Sequence, residues 1–135
     1  MCFVHASAAM PQRWDYIDSP SAALKSLNAA GETYTFSGHV HEQVLYARIS
    51  DAQATEFRPL SGSPVPLGAQ RRWLALVGSV GQPRDGRPAA GYALFDQDQD
   101  QLTYFRVPYD HLSAAQKIRA AGLSEGLAYR VEKGV

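Results

Sequence analysis

The sequence predicts an α/β (α+β) domain, and three observations lead there. The chain has 135 residues, one domain's worth, with 45% hydrophobic and 19% charged residues, enough apolar material for a packed core. Strand-like and helix-like segments follow each other as strand, helix, several strands, then helices. No internal repeat and no linker interrupts that order.

Met1-Cys2-Phe3-Val4 is an apolar run ending at His5, and it reads as a buried strand. It has neither the basic lead nor the long apolar centre of a signal peptide, so a cytoplasmic location is the expectation. A core strand with no polar lead before it suggests that an N-terminal portion precedes this chain. A loop containing Pro11 then leads to Arg13-Trp14-Asp15-Tyr16-Ile17. Ser19-Pro20 has the form of an N-cap followed by proline in the first helical turn. Ala23, Leu24 and Leu27 share a face of the helix, and Gly31 supplies its left-handed end.

Thr33-Tyr34-Thr35-Phe36 reads as a strand running into Gly38-His39-Val40-His41. Val44 to Ile49 is a second, with Val44, Tyr46 and Arg48 on one face and Leu45, Ala47 and Ile49 on the other. Phe57 and Leu60 belong to a short piece broken by proline. Arg72 to Val77 is a stronger strand. After the loop Gly78 to Arg87, Gly91 to Asp96 and Leu102 to Val107 are close enough to form a hairpin. Ser113-x-x-Gln116 has capping-box spacing, opening a helix with Ala114, Ala115, Ile118 and Ala121 inward and Gly122 at its end. Ser124 begins a last helix with Leu127 and Val131 on one face.

Composition excludes several classes. The single cysteine, Cys2, rules out a disulfide framework and a cysteine-based zinc site. No apolar stretch reaches the ~18–20 residues of a spanning helix, so no membrane partner is expected. Net charge is zero, which disfavours a uniformly basic binder of nucleic-acid duplex. Locally, Arg71, Arg72, Arg84 and Arg87 fall in one stretch and Asp96, Asp98, Asp100 and Asp110 in the next. Guanidinium forks suit carboxylate or phosphate, so the arginine cluster either borders a site for a phosphorylated ligand or belongs to a solvated mixed-charge surface.

The histidines are the candidate chemistry. His39 and His41 flank Val40 behind Gly38, and on an extended segment residues i and i+2 point the same way. Two neutral imidazoles so placed could face one metal ion or two adjacent ones. His5 also ends an apolar strand, and strand C-terminal ends are where open α/β sheets place ligands. Ordinary loop histidines remain the competing reading, and His111, at a helix lead-in, reads as structural. The loop Gly78-Ser79-Val80-Gly81-Gln82-Pro83-Arg84-Asp85-Gly86 could form a backbone anion nest. It lacks the Gly-Lys-Ser/Thr of a P-loop.

Together Gly38-His39-Val40-His41, the Gly78–Gly86 loop, Phe3-Val4-His5-Ala6-Ser7, Arg106-Val107-Pro108-Tyr109-Asp110 and Ile118-Arg119-Ala120-Ala121-Gly122-Leu123 resemble the calcineurin-like metallophosphoesterases. The resemblance is strongest to their bacterial and archaeal phosphodiesterase and diadenosine tetraphosphate hydrolase-like branch. It runs from about residue 2 to the end. It implies the C-terminal half of a four-layer αββα sandwich, with mostly antiparallel strands and flanking helices. The family's Asp-x-His, Gly-Asp-x-x-Asp and Gly-Asn-His motifs are absent, so residues 1–135 read as a single partial domain. Leu76-Val77 also stand where the family often has Asn-Pro.

In that family two metal ions hold a bridging hydroxide that attacks phosphorus in line. The resemblance implies that His5 and His39 serve one ion and His41 the other. It implies that Gly78, Ser79 and Arg84 approach the phosphate. No catalytic residue is identified within the chain itself. Imidazole suits manganese, iron, zinc or nickel better than calcium or magnesium. The expected activity is hydrolysis of phosphate esters, incomplete in this chain, with weak or partial metal binding. A non-catalytic binding or regulatory remnant of the same fold is the alternative. Expected partners are a phosphorylated small molecule or nucleotide. Half a sandwich would expose apolar faces and strand edges, so self-association or a complementing N-terminal half is also expected.

Overall fold

A computed structural model describes all residues, 1–135. The chain forms eight strands, three α-helices and a 3-10 turn at Pro11–Arg13. Strands β1 (Cys2–Val4), β2 (Tyr34–Ser37), β3 (Gln43–Ser50), β4 (Gln53–Phe57) and β6 (Trp73–Val77) make one sheet in the order β1-β2-β6-β3-β4. Strands β5 (Pro64–Pro66), β7 (Ala89–Asp96) and β8 (Gln101–Pro108) make a second in the order β5-β8-β7. β1, β2 and β6 run parallel, and all other pairings are antiparallel.

The alternation in β3 explains the layering. Val44 and Tyr46 point to one side, where they pack with Leu74 and Leu76 of β6, Ile17, and Ala23 and Leu27 of helix α1 (Pro20–Ala30). Leu45 points to the other side, joining Phe36, Ala75, Leu67, Leu102 and Tyr104 between the two sheets. β3 is therefore buried on both faces, as its unbroken apolar stretch requires. Helices α2 (His111–Ala120) and α3 (Glu125–Lys133) pack against each other. No helix is long and apolar enough to cross a membrane.

Polar groups fasten the sheets together. Gln43 Nε2 donates to the carbonyls of Tyr92 at 3.0 Å and Phe105 at 3.1 Å. Gln43 Oε1 accepts from Arg106 Nε at 2.8 Å, and Arg106 also pairs with Asp85. Tyr104 OH donates to the Val44 carbonyl at 3.1 Å. Gly78 adopts φ 91, and a Cβ there would meet Gln43 Cγ at 2.8 Å. The Gln43 fastening therefore needs a glycine at this turn.

Several expectations require correction. β1 is an edge strand rather than a buried one, and Phe3 is 75% exposed. Helix α2 is opened by Asp110, whose carboxylate accepts from the Ser113 N–H, not by a Ser113 capping box, and Ala121 at its end is exposed. Ser124 precedes α3 without a side-chain cap, and Ala128 and Val131 are its buried residues while Leu127 is half-exposed. Helix α1 has the expected ends: Ser19 Oγ accepts from the Ala22 N–H, and Gly31 at φ 69 donates its N–H to the Leu27 carbonyl. The hairpin forms in register Asp96↔Gln101 through Ala89↔Pro108.

Candidate functional site

The three parallel strands end at the same edge of the sheet. In register, Val4 lies beside Ser37 and Ser37 beside Leu76. The next residues along each strand are His5, then Gly38-His39-Val40-His41, then the loop beginning at Gly78. Sheet geometry thus gathers segments that are far apart in sequence at the C-terminal strand ends, where α/β sheets bind ligands. Ser37 is buried and its hydroxyl donates to the Ala6 carbonyl at 2.8 Å, while the Gly38 N–H donates to the His5 carbonyl at 3.0 Å. These bonds fix the backbone of His5 against that of the histidine turn.

His5 Nε2 and His39 Nδ1 lie 3.0 Å apart. His41 Nδ1 lies 2.8 Å from the Gln82 carbonyl. A carbonyl only accepts, so Nδ1 carries the proton and the lone pair of His41 is on Nε2, the nitrogen left for a ligand. Burial first, then the neighbouring positive charges of His5, His41 and Arg84, hold the His39 imidazolium below its ordinary range. Burial lowers His41 as well, with Arg84 and His5 adding to the effect and the Gln82 bond opposing it. Both shifts favour neutral rings, the form that ligates metal.

The histidine turn is not extended. His39 has φ 62 and His41 φ 67, both left-handed. The i, i+2 alternation of a strand therefore does not set their directions; two left-handed residues do. Such conformations cost of order 1–3 kcal/mol each in residues with a Cβ.

The Gly78–Gly86 loop is tied to the histidines at two points. The Arg84 N–H donates to the His41 carbonyl at 3.1 Å, and the Gln82 carbonyl holds the His41 ring. Gln82 Oε1 also accepts from Arg84 Nε at 3.1 Å and Nη2 at 2.9 Å. This occupies one edge of the guanidinium and leaves the Nη1 end free. Ser79 Oγ accepts from the Gln82 N–H at 3.0 Å, so its hydroxyl closes the loop. The arginine cluster is divided. Arg71 and Arg72 precede β6 while Arg84 follows it, a strand of roughly 17 Å apart.

No group of three or more His, Cys, Asp or Glu side chains in the chain is arranged to hold a metal ion. The histidine triplet separates into the His5–His39 pair and His41 on its own support. Trp14 and Tyr16, which the sequence reading passed over as loop residues, lie against the pair: Tyr16 is 4.3 Å from His39 and Trp14 4.8 Å from His5, centroid to centroid. Beside His5, Gly38 and Gly78 lies a cleft of about 780 Å³, lined chiefly by apolar residues such as Phe3, Phe36 and Phe95.

No family model matches the chain. An uncharacterised protein, MJ0912 of Methanocaldococcus jannaschii, is 30% identical over 132 residues, which cover 98% of this chain and 51% of that protein. A metallophosphoesterase from Sphaerobacter thermophilus matches with TM-score 0.87 and 32% identity over 98% of this chain and 54% of its own. PH1004 from Pyrococcus horikoshii OT3 shares the fold at TM-score 0.68 and 17% identity, covering 98% of this chain and 46% of its own. The chain spans about half the length of these relatives. The match to the Sphaerobacter structure over 98% of this chain gives it the fold of the C-terminal half of a metallophosphoesterase.

Proposed function

We propose that this chain supplies part of the site of a metal-dependent phosphoesterase that hydrolyses phosphate esters. The observation that carries the reading is the pairing of His5 Nε2 with His39 Nδ1 beside the ends of the parallel strands, with His41 held nearby by the Gln82 carbonyl, on a fold that matches a metallophosphoesterase. The donor set fits divalent transition metals such as manganese, iron, zinc or nickel, because it is imidazole. His5 and His39 would hold one ion and His41 the other. Such ions, when bound, acidify water and neutralise phosphate oxygens.

The chain's own groups set the conditions. Gln82 fixes the His41 tautomer through its carbonyl and orients the Arg84 fork through its amide oxygen. The free Nη1 end of Arg84 suits a phosphate oxygen, with Gly78 and Ser79 shaping the loop that carries it. Two imidazoles for one ion and one for the other fall short of the three protein ligands usual at a catalytic zinc. Metal binding by this chain is therefore weak, and full activity needs a complementing segment. The exposed Phe3 edge and the apolar cleft beside it are the surface that such a segment, or a second copy, would cover. The absence of a group of three ligands equally favours a second reading, a non-catalytic binding remnant of the same fold.

The test is manganese and zinc titration by calorimetry, together with hydrolysis of bis-p-nitrophenyl phosphate. Weak binding that disappears in His39→Ala, with little or no hydrolysis by the chain alone, is expected. Binding untouched by His39→Ala would overturn the ligand assignment. Robust metal-dependent hydrolysis by the 135 residues, lost in His39→Ala, would overturn the claim of incompleteness.

A further inference from the structure

We propose that Arg106 is a positioning residue: through its ion pair with Asp85 it aims Arg84 and the Gln82 carbonyl at the histidine turn. The inference rests on the reading above that Arg84 meets a phosphate oxygen, and it assigns control of that arginine to the second sheet. Arg106 lies on β8 and hydrogen-bonds to none of His5, His39, His41 and Arg84. Its guanidinium holds three other groups. Nε donates to Gln43 Oε1 at 2.8 Å, Nη1 donates to the Ala89 carbonyl at 3.3 Å, and Nη2 pairs with Asp85. Opposite Arg106 in the hairpin stands Gly91, where a Cβ would meet Gln43 Nε2 at 3.1 Å and Arg106 Cζ at 3.5 Å. The Gln43–Arg106 pair occupies the space that a side chain at Gly91 would fill.

Asp85 follows Arg84 directly, so the ion pair fixes the peptide that joins them. On one side of this peptide the Asp85 carboxylate reaches β8, and on the other the Arg84 N–H reaches the His41 carbonyl at 3.1 Å. Two further ties bind the same loop to β7 and to the end of α3. The Gly91 N–H donates to the Ser79 carbonyl at 2.8 Å, and the Gly86 N–H donates to the Gly134 carbonyl at 2.8 Å. Pro83 is the one buried residue between Gly78 and Gly86, so Arg84 to Gly86 take their place from polar bonds rather than from apolar packing. The side chains of Arg106 and Asp85 are 11% and 19% exposed. A buried ion pair adds little net stability over an apolar pair of similar volume. What it adds here is direction, because the planar fork of Arg106, already fixed by Gln43 and Ala89, sets where the Asp85 carboxylate sits.

The experiment follows the metal-free chain by NMR, reading hydrogen exchange at the Arg84 amide and the ring Nδ1–H signal of His41. In Arg106→Met the Arg84 amide should exchange at least tenfold faster and the His41 signal should be lost, while amides of the β2–β6 ladder keep their rates. Asp85→Ala should do the same. Arg106→Lys should not rescue, since an ammonium lacks the fork. Asp85→Leu with Arg106→Met replaces the ion pair by an apolar one, which keeps the fold and should still lose the His41 signal. Arg84 and His41 signals that stay unchanged in these folded variants, or equal acceleration across the β2–β6 ladder, would overturn the positioning role. Calorimetry with inorganic phosphate and manganese then tests the link to the site. Arg106→Met should weaken phosphate roughly tenfold, the order of one lost charge-assisted hydrogen bond, and have no effect in an Arg84→Ala background. Weakening that persists without Arg84 would overturn the proposal. Phosphate affinity that Arg84→Ala itself leaves unchanged would overturn the phosphate reading instead, with the NMR signals still deciding whether Arg106 aims the loop.

Discussion

Replacing His39 or His41 by glycine should give a more stable protein than replacing it by alanine, the reverse of what a loop residue ordinarily shows. Both variants lose the imidazole, so its contacts cancel in the comparison and only the backbone differs. Alanine at φ 62 or φ 67 bears a left-handed penalty of roughly 1–2 kcal/mol that glycine lacks. Alanine recovers about 0.4–1 kcal/mol because its unfolded chain is less free than glycine's. The difference leaves glycine ahead by about 0.5–1 kcal/mol at each position. Val40, between the two histidines, is not left-handed and serves as the control. There alanine should lead by about 0.4–1 kcal/mol. Urea denaturation of the six variants, compared at equal m-value, measures all three differences. If alanine led at His39 and His41 as it does at Val40, the left-handed turn and the strain argument would both fail.

Further consequences follow from the rest of the fold. Gln43→Leu leaves the Tyr92 and Phe105 carbonyls and Arg106 without their partner, and should lower stability by about 3 kcal/mol in chemical denaturation. Gly78→Ala places a methyl group 2.8 Å from Gln43 Cγ at a left-handed φ, and a loss of about 2–3 kcal/mol is expected; a neutral result would remove glycine's assigned reason. The lowered folded-state values of His39 and His41 mean that the unfolded chain binds more protons. Stability of the metal-free protein should therefore be fully present above about 6.5 and fall as pH drops from there through the folded values. His39→Asn with His41→Asn should flatten that slope in pH-resolved thermal melts.

The parts of the fold legible in the sequence are those where local chemistry and packing agree. Ser19, Pro20 and Gly31 mark both ends of α1 because caps act through their own neighbours. The residues Val44 to Ile49 mark β3 as a strand, and its packing against α1 on one side and the second sheet on the other shows that both faces are covered. β4 escapes notice because Gln53–Phe57 is a polar edge strand whose place is set by pairing with β3, not by an apolar face. β1 looks buried because its residues are apolar, yet its position at the sheet edge decides exposure. At the site, the residue types His5, His39 and His41 are readable, but the left-handed turn is not, since its two left-handed residues, His39 and His41, are not the glycine that usually marks such a conformation. Gln82 and Gln43 were invisible as single glutamines. Their roles come from the carbonyls and guanidinium that tertiary structure brings to them. Trp14 and Tyr16 carried no periodic signal, and only their nearness to the histidine pair gives them meaning.

The central claim is that His5 and His39 grip one cation between them. A crystal of this chain soaked in zinc and measured at the zinc absorption edge tests it most directly. The account expects an anomalous peak between the two imidazoles, with His5 Nε2 and His39 Nδ1 parted from 3.0 Å to about 3.3 Å, the span of two ~2.0–2.1 Å bonds in a tetrahedral site. No peak there, with the two rings still in mutual contact, would contradict it.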